Sequence, residues 1–206
     1  MEYSSSARTR ARRRRSTILV AIAVLAAILG VAASRADVLP LGFAGDLGLS
    51  GELGSSADVD GGGVPAGVTV YDESVPAVAN LDPDLLAALR QAATDATDDG
   101  VTMVVNSGWR SPEYQQQLLD EAVAKYGSAQ EAARWVSTPE NSLHVSGDAV
   151  DIGPTEAAAW LGENGAAYGL CQIYRNEPWH FELRPDAAES GCPRMYADPT
   201  RDPRMQ

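Results

Sequence analysis

The chain has two histidines, His144 and His180. Each stands beside carboxylates in a short segment broken by glycine or proline. The first lies in Ser142-Leu143-His144-Val145-Ser146-Gly147-Asp148-Ala149-Val150-Asp151, and the second closes Glu177-Pro178-Trp179-His180. A catalytic Zn²⁺ asks for three nitrogen or carboxylate ligands and one position left open for water. His144, Asp151 and His180 supply that set. Glu177 is then a spare carboxylate. Pro178 lacks an amide donor and favours an irregular or edge position, so Glu177 falls on the loop entering the His180 segment, near the metal without ligating it. That is the place of a general base.

The elements around these residues must aim them. If Ala149 to Ile152 is a strand, its side chains alternate, so Ala149 and Asp151 face the site while Val150 and Ile152 face a core. By the same period His180 and Glu182 share one face of a strand over Trp179 to Leu183, with Phe181 and Leu183 on the other and Trp179 packed as core beneath the metal ligand. Asp82-Pro83 reads as an N-cap and first helical position, and Leu85, Leu86, Leu89 and Ala93 form a stripe, giving a helix to about Asp98. Val101 to Asn106 is a β-branched strand that delivers Ser107 to Arg110 to the edge of the site. Ser111-Pro112 opens a helix that stops at Gly127, with Gln115 about one turn in. Ser128 to Glu131 is a capping-box pattern for a helix to about Val136. A helix from Pro154 to near Gly165 and a strand over Leu170 to Tyr174 follow.

Ser142, His144, Gly147, Ala149 and Asp151, followed by the Glu177-Pro178-Trp179-His180 run, form an ordered pattern. It resembles the zinc D-alanyl-D-alanine carboxypeptidases of the vancomycin-resistance type, a group of LAS-type metallopeptidases. Ser107-Gly108-Trp109-Arg110-Ser111 and Gln115 extend the likeness upstream, with Trp109 where an aromatic, often tyrosine, is usual. The resemblance covers about Val64 to Leu183. It implies an α+β fold in which a small antiparallel sheet carries the zinc, with helices packed on its outer face. It implies a Zn²⁺ cofactor and peptidoglycan stem peptides as partners, trimmed of their terminal D-alanine. It also implies that Arg110, Gln115 and Ser142 hold the peptide near its scissile bond and free carboxylate. For Arg110 the side chain agrees, because a guanidinium is always charged and offers a planar fork to a carboxylate or developing oxyanion. Relatives that cut an L,D bond or act as endopeptidases give the alternative activities on the same metal. A wall-binding protein without turnover is a third reading, against which the retained ligands and Glu177 stand.

The rest of the chain sets location. Six arginines between Arg8 and Arg15 abut an apolar run from Ile18 to Ala33, the pattern of a membrane-targeting segment with its basic side in the cytoplasm. The run is a little short of the roughly 20 residues of a comfortable span but longer than a usual signal core. A signal anchor over 18–34 is favoured over a cleaved signal peptide, with 1–17 as a cytoplasmic basic segment. The Gly-, Ser- and Asp-rich stretch 35–63 reads as a flexible spacer. One domain, 64–195, and a tail, 196–206, complete the division. The first 34 residues hold six Arg and one Glu, so removing their +5 from the net −12 leaves about −17 for the remainder. A body that acidic does not bind nucleic acid by electrostatics, and it is expected to act outside the cell membrane as a monomer. Cys171 and Cys192 are the only cysteines, and an exported location favours their pairing as a disulfide.

Overall fold

The computed structural model describes residues 56–205. The basic segment 1–17, the apolar segment 18–34 and the spacer up to residue 55 lie outside the described residues. Among the described residues no helix is long and apolar enough to cross a membrane.

The architecture is α+β. Eight α-helices among the described residues are α1 (Ser56–Asp60), α2 (Pro76–Ala79), α3 (Pro83–Asp98), α4 (Pro112–Tyr126), α5 (Ala129–Ala132), α6 (Leu143–Ser146), α7 (Thr155–Asn164) and α8 (Ala187–Ser190). Four strands, β1 (Val104–Ser107), β2 (Ala149–Gly153), β3 (Leu170–Gln172) and β4 (His180–Leu183), form one antiparallel sheet in the order β1-β2-β4-β3.

Local chemistry explains the two long helices. Asp82 accepts from the amides of Asp84 and Leu85 while Pro83 takes the first helical position. Ser111 caps α4 by accepting from the amide of Tyr114. In α3 the buried residues Leu85, Ala88, Leu89, Ala92, Ala93 and Ala96 recur at helical spacing and form one apolar stripe. That stripe, with Ala157, Ala158 and Leu161 of α7, meets Val105, Val150, Ile152 and Phe181 from the sheet in the main core. Each fully buried Leu or Phe there contributes about 1.5–3 kcal/mol of hydrophobic stabilisation. The strand alternation therefore holds: Val150 and Phe181 go to the helices, and Asp151, His180 and Glu182 go to the opposite face.

Several sequence expectations need correction. β1 begins at Val104, not Val101, and an irregularity between Val105 and Ser107 carries the chain out of regular pairing toward the Ser107–Arg110 loop. Only four residues after Ser128 are α-helical, because a capping box fixes where a helix starts and says nothing of where it ends. Residues 56–63, read as spacer, are part of the body: Gly62 and Gly63 are buried, the amide of Ser111 donates to the carbonyl of Gly61 at 2.8 Å, and a Cβ on Gly62 would stand 2.3 Å from the carbonyl oxygen of Trp109. Gly62 also has φ 106. These glycines serve a close backbone approach, not flexibility. Of segment 196–206, read as a tail, the described residues 196–205 also pack back: Tyr196 bridges Tyr174, and Asp198 and Asp202 are buried.

Candidate metal site and cleft

Asp151 and His180 are cross-strand partners in the β2–β4 register, so the sheet alone puts a carboxylate and an imidazole side by side on one face. His144 arrives from a different element. It sits in the single-turn α6, which ends at Gly147 in the left-handed conformation with φ 83. The turn docks on the start of α3, where the amide of Asp82 donates to the carbonyl of Gly147 at 2.9 Å. A Cβ on Gly147 would lie 2.5 Å from the carbonyl oxygen of Asn80, so glycine is required by both conformation and space.

The three side chains converge. Asp151 Oδ1 is 3.5 Å from His144 Nε2 and 3.2 Å from His180 Nδ1, and one ligand atom from each of the three lies within 4.8 Å of the others. Two donors bound to one tetrahedral zinc at about 2.0–2.1 Å stand about 3.3 Å apart, so the two spacings from Asp151 fit such an ion. The remaining ring nitrogens are committed elsewhere. His144 Nδ1 is 2.9 Å from the carbonyl oxygen of Gly108, and His180 Nε2 is 3.4 Å from Glu182 Oε1. Each imidazole thus donates outward and presents its other nitrogen to the site, the usual arrangement around a metal-binding histidine.

Arg110 closes one side. Its Nε donates to Ser107 Oγ at 2.8 Å, Nη1 to Gln115 Oε1 at 3.0 Å and Nη2 to Asp151 Oδ2 at 3.4 Å. Three of the five guanidinium N–H groups are engaged, which leaves two for a ligand. Gln115 is fully buried and donates to the carbonyl of Ser137 at 2.8 Å, so it orients Arg110 as well as lining the cleft. Ser142 is buried at the start of α6 but makes no side-chain capping bond. Its hydroxyl lines the cleft.

A cleft of about 350 Å³ joins these residues, lined by Arg110, Gln115, Ser142, His144, Asp151, Glu177 and His180, and it runs on to Lys125, Tyr126 and Trp135. Tyr126 and Trp135 stack with ring centroids 5.8 Å apart. All seven polar residues singled out in the sequence therefore meet in one place. Trp179 does not pack as core: it is 39 % exposed on the rim of the same cleft. Its backbone carbonyl accepts from Ile152, and β4 begins only at His180, so the alternation that would have turned its side chain inward does not reach it.

The electrostatics divide the titratable groups. Burial pushes the Glu177 carboxyl up to about 7, against the pull of His180 and Arg110. Burial would also raise Asp151, but His144 and His180 beside it hold it well below the usual carboxylate range. Burial and the charge of Arg110 lower His144. Burial works the same way on His180, yet the hydrogen bonds to Asp151 and Glu182 raise it to about 9. One carboxylate is thus held as an anion between the two imidazoles, and another titrates near neutral pH on the cleft wall. Asp148 is exposed and, with Glu182, lies along a different depression beside Asp82 and Leu85, so neither shares the cleft with the donors.

Sequence reasoning missed the parts of the site that come from far along the chain. The ring of Tyr174 packs 5.2 Å from that of His180, and Pro199 and Met205 form cleft wall. The disulfide expected between Cys171 and Cys192 is formed, but the sequence does not announce the second small core around it, in which Cys171, Ile173, Tyr174 and Ala187 lie beneath the site face with Tyr196 and Met205 packed on them. No local spacing announces these contacts. Their only sequence trace is a run of apolar and ring residues after Gly169.

A sequence model of the VanY D-alanyl-D-alanine carboxypeptidase family matches residues 78–186. A D-alanyl-D-alanine carboxypeptidase of Enterococcus faecalis is 34% identical over 143 residues, 57% of this chain and 53% of that protein. The chain thus spans about half the length of the curated relative it matches. Among solved structures, VanYB in complex with D-Alanine-D-Alanine is 31% identical, with 54% of this chain and 74% of that chain covered and a TM-score of 0.50. A vancomycin-resistance D,D-pentapeptidase VanY variant in complex with Zn(II) is 32% identical, with 50% and 72% covered and a TM-score of 0.47.

Proposed function

The chain belongs to the VanY D-alanyl-D-alanine carboxypeptidase family, and from that premise we propose that it is a zinc carboxypeptidase removing the terminal D-alanine from peptidoglycan stem peptides outside the cell membrane. The observation that carries the reading is the convergence of His144 Nε2, Asp151 Oδ1 and His180 Nδ1 in one cleft that also contains Glu177 and Arg110. Outward placement draws on the arginine run abutting the apolar segment 18–34.

In this reading His144, Asp151 and His180 would hold Zn²⁺, which would supply Lewis-acid polarisation for the scissile carbonyl and the attacking water. Glu177 takes the proton from that water and passes it to the leaving amine. A carboxyl pushed up to about 7 by burial suits both halves of that transfer. Arg110, braced by Ser107 and Gln115, turns its two remaining N–H groups toward the developing oxyanion or the peptide carboxylate. Ser142 and Gln115 orient the substrate. The cleft volume is within the range that encloses a drug-sized ligand. Its continuation along the stacked Tyr126 and Trp135 gives room for residues upstream of the scissile bond. The D,D preference draws on the solved relative holding D-Alanine-D-Alanine.

The test is mass spectrometry of purified muropeptides after incubation with the zinc-loaded protein. Loss of a single alanine from pentapeptide stems, with tetrapeptide stems untouched, is the expected result. Trimming of tetrapeptides would move the assignment to an L,D-carboxypeptidase, cleavage inside cross-links to an endopeptidase, and unchanged stems to a binding protein.

A further inference from the structure

We propose that Arg204 is a positioning residue for the metal site, acting on His180 through Glu182. The proposal rests on the reading of His180 as a ligand, and it gives segment 196–205 a part in the site.

Glu182 follows His180 by two residues on β4, on the same face, and is fully buried. Its two oxygens have different jobs. Oε1 faces His180 Nε2 at 3.4 Å. Oε2 accepts from Arg204 Nη1 at 2.7 Å and from Arg184 Nη2. Arg204 Nη2 also reaches Oε1 at 3.3 Å, so Arg204 alone touches both oxygens. A buried carboxylate without compensating charge is strongly unfavourable, and one free to rotate would not hold an imidazole in one orientation.

Arg204 is itself anchored. Its Nε lies 3.0 Å from both oxygens of Asp202, and Nη2 donates to Asp202 as well. Asp202 is fully buried and accepts from the Tyr174 hydroxyl at 3.0 Å, and the Tyr174 ring packs against His180. Two routes from the same short segment therefore end on one imidazole, one through Glu182 to Nε2 and one through Tyr174 to the ring face. Arg184 lacks this anchoring: its guanidinium donates to Glu182 and otherwise to the carbonyl of Leu183. For an imidazole to offer Nδ1 to a metal, Nε2 must carry the hydrogen and have an acceptor for it. Glu182 is that acceptor, and Arg204 sets where it points.

The experiment is chelator competition for Zn²⁺ by the full chain, with visible absorption of the Co²⁺-substituted protein as a report on ligand geometry. Arg204→Ala is expected to weaken Zn²⁺ binding by roughly 10- to 100-fold, the scale of losses on removing outer partners of metal ligands, and to shift the cobalt bands. Arg204→Lys should recover part of the affinity. Glu182→Gln keeps the volume and should weaken binding similarly, which keeps the proposal testable if Arg204→Ala folds poorly. Arg201→Ala, in the same segment but bordering a different depression with Arg134 and Thr200, should bind as wild type. Wild-type Zn²⁺ affinity and an unchanged cobalt spectrum in both Arg204→Ala and Glu182→Gln would overturn the positioning role while leaving the ligand set intact. A wild-type protein that takes up no Zn²⁺ would overturn the ligand reading, and this proposal with it.

Discussion

β2 and β4 carry opposite chemistry on their two faces. Toward α3 and α7, Val150, Ile152 and Phe181 enter a dry core in which neighbours are exchangeable if volume is kept. On the opposite face, Asp151, His180 and Glu182 enter a polar network in which every partner is particular: Arg110, His144, Arg204 and, through Asp202, Tyr174. The first face is built by area and the second by pairing. Damage to the first should appear as lost stability with the site chemistry kept, and damage to the second as lost metal or turnover in a protein that still folds.

The largest effects belong to the polar face. His144→Ala, Asp151→Ala and His180→Ala should each abolish stoichiometric zinc after dialysis, because each removes one of three donors and the chain has no further histidine. Metal analysis of the folded variants checks this, and a full equivalent of zinc in any one would remove that residue from the ligand set.

On the core face, Phe181→Ala should cost about 3–5 kcal/mol in denaturant unfolding, the scale for a fully buried aromatic. Metal stoichiometry in the surviving folded fraction should stay at wild type, which is the sharpest contrast with the ligand variants.

The disulfide is intermediate. Cys171 lies opposite Glu182 in the β3–β4 register, and its bond to Cys192 spans 21 residues. Closing a loop of that length contributes about 3 kcal/mol in the chain-entropy model. Reduction should lower the unfolding midpoint accordingly, and an unchanged midpoint would mean that the second core holds the site face without it.

The smallest effect runs in the opposite direction. Glu177 has a folded-state value of about 7 against an ordinary 4.5. Its ionised form therefore destabilises the metal-free protein, by an amount absent below about pH 4.5 and fully present above about 7. Glu177→Gln should stabilise metal-free protein by roughly 1–3 kcal/mol at pH 8 and by little at pH 4.5. Equal stability of the two proteins at pH 8 would show that Glu177 is not under the burial stress ascribed to it.

The two faces also differ in how far they can be read from sequence. α3 and α4 were legible because their signals are local: Asp82-Pro83 and Ser111-Pro112 at the starts, and an apolar stripe at helical spacing in α3. Period-two alternation assigned Val150 and Phe181 to one face and Asp151 and His180 to the other. It could not supply the register that sets Asp151 opposite His180, which depends on pairing across the intervening chain. The motif residues of the cleft were legible as residue types with familiar spacing. Arg204, Asp202 and Tyr174 were not, because each is an ordinary residue until the segment folds back onto Glu182. Gly62 and Gly63 misled in the same way: three glycines in a row look like slack chain, and only the close carbonyls of Trp109 at Gly62 and of Asp58 at Gly63 show why side chains are excluded there.

Everything proposed for catalysis depends on Glu177 being the proton carrier and standing outside the ligand set. The direct measurement is turnover of zinc-loaded Glu177→Gln on a pentapeptide stem, at a zinc content verified equal to wild type. Turnover is expected to fall by roughly 10²- to 10⁴-fold, the range attributed to general acid–base catalysis. Near-normal turnover would contradict it.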